Sequence, residues 1–382
     1  MNSYTKNDLL RLAKRHHNTK RTYLLVDPLQ GKHIPVSPTE SLQMLGTLGQ
    51  KLHEQYPAVD VVIGFAETAT AVGAAVASMQ SSPCLYIHTT REAFALTGSV
   101  VEFQEEHSHA TEQNLCMDQL TTALESAHTI AFVDDELSTG KTLLNVIEKL
   151  RAELPAIREK QIVAVSIINR LTDERIQLLK LEGVECVSLL HLPLEDYTET
   201  VKRFAIEEAA PVTGSSSDFA ELALQPMTED PRHGVIIEDY FCQCKACADE
   251  VIDALAMNPA GKKLLVLGTE EYMLPGILLG QALEERGATV RFHATTRSPI
   301  GICQDEGYPI RSGVKLHSLY EADRVTYLYQ LDAYDAVLIM TDTPDDEAYE
   351  AGSSDLAAAL RQAGCKEIVF VREKKHVRHL SF

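Results

Sequence analysis

From Val59 onward the chain alternates short β-branched apolar runs with stretches whose apolar residues return at helical spacing. "VDVVIGF" (59–65), "CLYIHTT" (84–90), "TIAFVDD" (129–135), "QIVAVSIIN" (161–169) and "VECVSLLHL" (184–192) read as strands. Between and around them, helical patterns fall at 68–80, 115–127, 141–154 and 173–182. Nearly continuous apolar strands separated by helices predict a mainly parallel sheet covered on both faces. One stretch breaks the rhythm. The polar segment 91–114 is too long for an ordinary connection, and such segments act as lids or binding loops.

Residues 193–233 lose periodicity and gain Pro, Gly and Ser, which predicts an interdomain connection. A second α/β pattern follows, with strands in "KKLLVLGTEEY", "ATVRFHATTRSP", "YDAVLIMTDTPDD" and "KEIVFVRE". The expected organisation is an N-terminal extension over 1–58, a core over 59–192, the connection 193–233, and a second α/β domain over 234–382. The two halves look alike. "VVIGFAETATAVG" leading to "LYIHTTRE" parallels "LVLGTEEYMLPG" leading to "RFHATTRSP", and the shared Thr-Thr-Arg predicts an internal duplication. Two domains that differed in strand order would rule it out.

Composition narrows the partners. With 55 Asp and Glu against 35 Lys and Arg, the net charge of −20 argues against nonspecific binding to nucleic acid or anionic membrane. No apolar run has the length of a membrane span, and the N-terminal residues lack the apolar block of a signal peptide. Eight mostly scattered cysteines fit a reduced, cytoplasmic setting. "CQCKAC" groups Cys242, Cys244 and Cys247, but zinc normally wants a further ligand pair, so no metal site is assigned.

The densest chemistry lies in "TIAFVDDELSTGKTLL" (129–144). An apolar strand ends at Asp134 and Asp135, a Ser-Thr-Gly turn follows, and a helix begins near Thr142. Free N–H groups at such a helix start bind a phosphate monoester. Ser138, Thr139 and Thr142 add hydroxyls, Lys141 adds a charge, and Gly140 lets backbone come close. The adjacent carboxylates suit vicinal hydroxyls, as on a ribose whose 5′-phosphate sits in the cup. A nucleotide P-loop would need glycine at position 135, where an acid would repel a phosphate. A capped turn with solvated acids is the plain alternative.

This string resembles the 5-phosphoribosyl-1-pyrophosphate (PRPP) motif of type I phosphoribosyltransferases, with Glu136 standing where an aliphatic residue is usual. The resemblance implies a Rossmann-like parallel sheet in the first domain, and the internal repeat makes the second α/β domain a degenerate duplicate, chance similarity among α/β units being the plain alternative. It implies that Asp134 and Asp135 hold the ribose hydroxyls and that Ser138, Thr139, Gly140, Lys141 and Thr142 hold the 5′-phosphate. It further implies that the turn containing Ala66, Glu67 and Thr68 binds pyrophosphate, and that 91–114 is a catalytic lid carrying Arg91, His107 and His109. Lys32 and His33, in "VDPLQGKHIPVSP" (26–38), would contact the acceptor from a hood. Plain loops and exposed histidines are the alternatives at these places.

Thr296-Arg297-Ser298-Pro299, "VLGTEEYM", "YPIRSG" and "EEHSHATEQ" resemble a subgroup of two-domain, orotate-phosphoribosyltransferase-like proteins associated with tellurium-resistance gene clusters. That resemblance covers nearly the whole chain. It implies a homodimer that moves a phosphoribosyl group from PRPP, carried with Mg²⁺, to a small-molecule acceptor in making a ribosylated metabolite. Glu270 and Glu271 in the second copy of the turn imply lost PRPP binding, while Arg297 and Arg311 are candidates for an anion of the acceptor or for salt bridges. A PRPP-sensing regulator without turnover and a phosphoribosyl hydrolase are the competing functions.

Overall fold

The computed structural model describes residues 3–16, 22–104, 112–193, 195–214, 218–225 and 227–373. The chain forms two compact units that interleave along the sequence. Met1–Leu9, Leu42–Glu195 and Glu229–Cys242 make the first, and Leu10–Ser41, Asp196–Thr228 and Gln243–Phe382 the second. The sequence-based boundaries at 58, 192 and 233 run along the chain and do not capture this interleaving. In particular, the segment 26–38 expected as a hood belongs to the second unit.

The first unit contains β1 (Val61–Gly64), β2 (Leu85–His88), β3 (Val100–Gln104), β4 (Glu112–Cys116), β5 (Thr129–Leu137), β6 (Gln161–Asn169) and β7 (Val184–His191). Its helices include α1 (Thr70–Ala77), α2 (Asp118–Leu124), α3 (Lys141–Glu153) and α4 (Asp173–Leu181). The sheet runs β2-β1-β5-β6-β7, all parallel, and the short strand Val235–Ile236 extends β2 antiparallel. Strands β1, β2 and β6 are buried along almost their whole length, as expected for a sheet covered on both faces. Helix α3 buries Leu143, Val146, Ile147 and Leu150, the i, i+3, i+4, i+7 stripe that its sequence foretells.

Two expectations are corrected here. The segment 91–114, expected as a long loop, instead carries strand arms that pair as the antiparallel hairpin β3/β4. The helix expected at 115–127 shrinks to α2, since Leu115 and Cys116 are spent in β4. Buried Val101, Phe103 and Leu115 give the hairpin an apolar face that belongs to the same core cluster as α3.

The second unit contains β8 (Ala220–Leu224), β9 (Lys263–Gly268), β10 (Thr289–Ala294), β11 (Gly313–His317), β12 (Val325–Tyr329), β13 (Ala336–Thr341) and β14 (Glu367–Glu373). Helices α5 (Leu274–Glu285) and α6 (Glu347–Gln362) belong to it. Its sheet runs β10-β9-β13-β14-β8, again all parallel. The stretch expected as a connection therefore supplies the edge strand β8. Its "AELAL" is short and rich in alanine, which carries little strand signal.

The two units share their plan. The order β2-β1-β5-β6 is repeated as β10-β9-β13-β14, and each second strand leads into an antiparallel hairpin, β3/β4 or β11/β12. Thr90 bridges Asn114 beside the first hairpin, and Thr296 bridges Tyr327 beside the second. Gly64 pairs with His88 and Val133, while Gly268 pairs with Ala294 and Met340. Gly73 in α1 leaves 2.9 Å between a notional Cβ and the Tyr86 ring, and Gly276 in α5 leaves 3.0 Å to Phe292. Both helices thus need glycine at the same close approach to the sheet. The condition set for duplication, a common strand order, is met.

Candidate active site

In the first sheet the chain goes from β1 to β2 on one side and then crosses to β5 on the other. That reversal makes a crevice at the carboxyl ends of β1 and β5, the place where open parallel sheets bind ligands. The loops after β1, β2 and β5 all end there.

The loop after β5 departs slightly from its predicted form. Strand β5 carries on through Asp134, Asp135 and Glu136 to Leu137, so the turn is only Ser138–Gly140 and α3 starts at Lys141. Gly140 has φ 73°, a left-handed conformation in which a side chain costs about 1–2 kcal/mol. Space is not the reason for glycine, since a Cβ there would meet nothing nearer than Leu171 at 3.4 Å. The N-cap residue of α3, Gly140, offers no side-chain cap, Thr139 Oγ1 accepts from the Lys141 N–H at a long 3.4 Å, and the helix dipole there favours an anion. Ser138, Thr139 and Thr142 are half-buried around this cup, and Lys141 is exposed at its edge.

Asp134, Asp135 and Glu136 are half-buried. The Asp135 N–H donates to Asp134 Oδ1 at 2.9 Å, and Thr68 Oγ1 donates to Asp135 Oδ1 at 2.9 Å. That second bond ties the acid pair to the turn after β1 and brings Asp135 and Thr68 together. Glu136, the departure from the family pattern, faces Arg170 at 3.4 Å, and Arg170 also donates to the Glu195 carbonyl. A charge at position 136 is thus balanced from the end of β6.

The turn with Ala66, Glu67 and Thr68 is fixed by side chains that sequence reading missed. The Ala66 N–H donates to Thr89 Oγ1 at 2.8 Å. Thr89 in turn donates to Gln113 Oε1 at 2.5 Å, and Gln113 Nε2 donates to the Ala66 carbonyl at 3.0 Å. Ala66 and Glu67 are buried, and Thr68 is half-buried. Gln113 stands on β4, so this triangle joins the turn after β1, the end of β2 and the base of the hairpin. The repeated Thr-Thr-Arg was the available signal for Thr89. Arg91 follows two residues later, half-buried at the same hairpin base. His107 and His109 lie outside the described residues.

The remaining candidates lie in the second unit and are otherwise engaged. Lys32 is fully buried, with Nζ donating to the carbonyls of Glu270 at 2.7 Å and Thr295 at 2.9 Å. Such a lysine braces a turn and does not reach toward an acceptor. His33 is buried beside it. Arg297 binds Glu270 at 2.6 Å, whereas Arg311 is exposed on the loop before β11, so they form no joint anion site. Cys242 is exposed while Cys244 and Cys247 are buried on the helix Ile237–Leu255. No cluster of three or more metal-ligating side chains occurs among the described residues. No helix among them is long and apolar enough to cross a membrane.

A glycine-led helix start, a paired-acid strand end and a braced turn meet at one switch point. The family follows. Residues 9–191 match the family model described as "Phosphoribosyl transferase", and residues 229–360 match "TRSP domain C terminus to PRTase_2". The chain belongs to the phosphoribosyltransferases that carry a C-terminal TRSP domain, and it is a transferase enzyme. Solved structures are similar in fold over about half of the chain. Orotate phosphoribosyltransferase from Aeropyrum pernix is 17% identical over 51% of this chain and 91% of its own, with TM-score 0.31. Giardia lamblia APRTase complexed with 9-deazaadenine is 15% identical over 50% and 98%, with TM-score 0.35. Mycobacterium tuberculosis orotate phosphoribosyltransferase in complex with inorganic phosphate is 15% identical over 48% and 89%, with TM-score 0.29. No curated protein matches.

Proposed function

We propose that the first unit transfers the 5-phosphoribosyl group of PRPP to a small-molecule acceptor, releasing pyrophosphate. The observation that carries this reading is the bond between Thr68 and Asp135, which joins the turn after β1 to the acid pair beside the phosphate cup. A ligand with a phosphate at one end, two hydroxyls in the middle and pyrophosphate at C1 matches that sequence of subsites.

In this reading the α3 start and the hydroxyls of Ser138, Thr139 and Thr142 hold the 5′-phosphate, with Lys141 at the rim. Asp134 and Asp135 accept hydrogen bonds from the ribose 2′- and 3′-hydroxyls. The turn at Ala66, Glu67 and Thr68 presents backbone to the pyrophosphate, and Arg91 neutralises charge as it leaves. His107 and His109 are assigned to the hairpin that covers the reaction, donating to the leaving group or the acceptor. The side chains at this corner offer oxygen donors, which suit Mg²⁺, and Mg²⁺ entering with PRPP supplies charge neutralisation for pyrophosphate. Exclusion of water is the hairpin's task, because water would capture the electron-poor C1.

The product is a ribosylated metabolite made in the cytoplasm by a homodimer, in a setting linked to tellurium resistance. The test is a screen of nucleobases, aromatic acids and cell extract with Mg²⁺-PRPP, read by pyrophosphate release and product mass. Release that requires one acceptor class supports transfer. Equal release without any acceptor indicates hydrolysis, and binding without release indicates a sensor.

A further inference from the structure

The second unit repeats the ligand corner of the first and fills it with its own side chains. Position by position, Ala66 corresponds to Glu270, Arg91 to Arg297 and Asp135 to Asp342, as fixed by the paired registers at Gly64 and Gly268 and at Thr90 and Thr296. The brace of the turn is preserved. The Glu270 N–H donates to Thr295 Oγ1 at 2.9 Å, as the Ala66 N–H does to Thr89.

What differs is the occupant. The Glu270 carboxylate is buried, and it accepts from Arg297 Nε at 2.6 Å, from Arg324 Nη1 at 3.1 Å and from Ser318 Oγ. Ser318 and Arg324 are the two ends of the connection in the β11/β12 hairpin, which therefore closes on this carboxylate. From the same connection Tyr320 donates to Asp342 Oδ1 at 2.9 Å, covering the acid that corresponds to Asp135. The other subsite is filled too. Helix α6, the counterpart of α3, is capped by Asp346, whose carboxylate accepts from the N–H groups of Ala348 and Tyr349 at 3.1 and 3.2 Å.

We propose that the second unit is a self-occupied copy of the phosphoribosyl-binding fold, in which the Glu270 and Asp346 carboxylates stand where the first unit takes the anions of its ligand. Glu270 is then an internal plug in a corner built for a phosphate or pyrophosphate. Removing its charge takes away the carboxylate that Arg297 and Arg324 share, although Arg324 keeps Glu321, and an external anion can stand in its place. The proposal rests on the duplication and on this ion network, and it is independent of whether the first unit turns over.

The test is titration of the full-length protein with inorganic pyrophosphate by calorimetry. Glu270→Ala is expected to bind one more pyrophosphate per chain than the unsubstituted protein, and the added site is expected to vanish in Glu270→Ala/Arg297→Ala. Glu270→Gln keeps the shape and one hydrogen-bond acceptor while removing the charge, and is expected to show the same gain more weakly should the alanine variant fold poorly. A folded Glu270→Ala or Glu270→Gln protein with no added site overturns the plug. So does a pyrophosphate bound by the unsubstituted protein that Arg297→Ala removes.

Discussion

The two α/β units carry the same strand order, the same hairpin insertion and the same threonine brace, yet one corner is left to a ligand and the other is closed from within. At the start of α3 a left-handed Gly140 stands at the N-cap with no side chain to offer, and at the start of α6 Asp346 caps the helix with its carboxylate. After β1 the turn carries Ala66, and after β9 it carries Glu270 gripped by two arginines. The scaffold places the site, and a few residues at strand ends decide whether it is available.

The largest effect expected to sharpen this contrast is Asp134→Asn with Asp135→Asn. Each charge-assisted hydrogen bond to a ribose hydroxyl is worth about 1.5–3 kcal/mol, so turnover falls on the order of 10- to 100-fold per acid. The melting temperature stays nearly unchanged, because both acids are half-buried at the carboxyl end of the interior strand β5. Steady-state pyrophosphate release and a melting curve check both halves.

The paired arginines come next. Arg91→Ala is expected to lower kcat/KM on the order of 100-fold with little change in stability. Arg297→Ala is expected to do the reverse, costing about 3 kcal/mol by leaving Glu270 short of a partner while leaving kcat/KM within about twofold. Kinetics and denaturant unfolding of the two variants separate the roles, and matching behaviour would erase the contrast.

Gly73→Ala and Gly276→Ala probe what the units have in common. Each adds a methyl within about 3 Å of an aromatic ring on the neighbouring strand, so each costs about 1–3 kcal/mol. Similar losses support one inherited packing, and a neutral outcome at either position breaks the parallel.

A further contrast between the units lies in acid. Fully buried His293 stands where the first unit has Ile87, and burial lowers its pKa to about 3 from an ordinary 6.5. Between those values the unfolded chain binds a proton that the folded unit does not. Stability is therefore present above pH 6.5 and is lost as pH falls toward 3. His293→Leu should flatten that part of the profile, measured as melting temperature against pH.

Much of this was legible in the residues. Most strands of both sheets, though not β8, stood out because buried parallel strands are apolar runs, and the acid pair beside Ser138–Thr142 was visible as one short string. The duplication showed in the repeated Thr-Thr-Arg. What escaped depends on pairing between distant positions. Nothing local tells that Gln113 braces Ala66, that Arg170 balances Glu136, or that Lys32 supports the turn at Glu270. The hairpin β3/β4 was hidden because its strands are short and polar on one side. The interleaving of segments 10–41 and 196–228 into the second unit was hidden for a related reason, since chain order does not record which sheet a strand joins.

The most direct measurement is the stoichiometry of PRPP binding in the presence of Mg²⁺, by calorimetry on the full-length protein. One PRPP per chain, lost in Asp134→Asn/Asp135→Asn and kept in Arg297→Ala, is the predicted result. Two per chain, or binding that survives the double substitution and falls with Arg297→Ala, would contradict it.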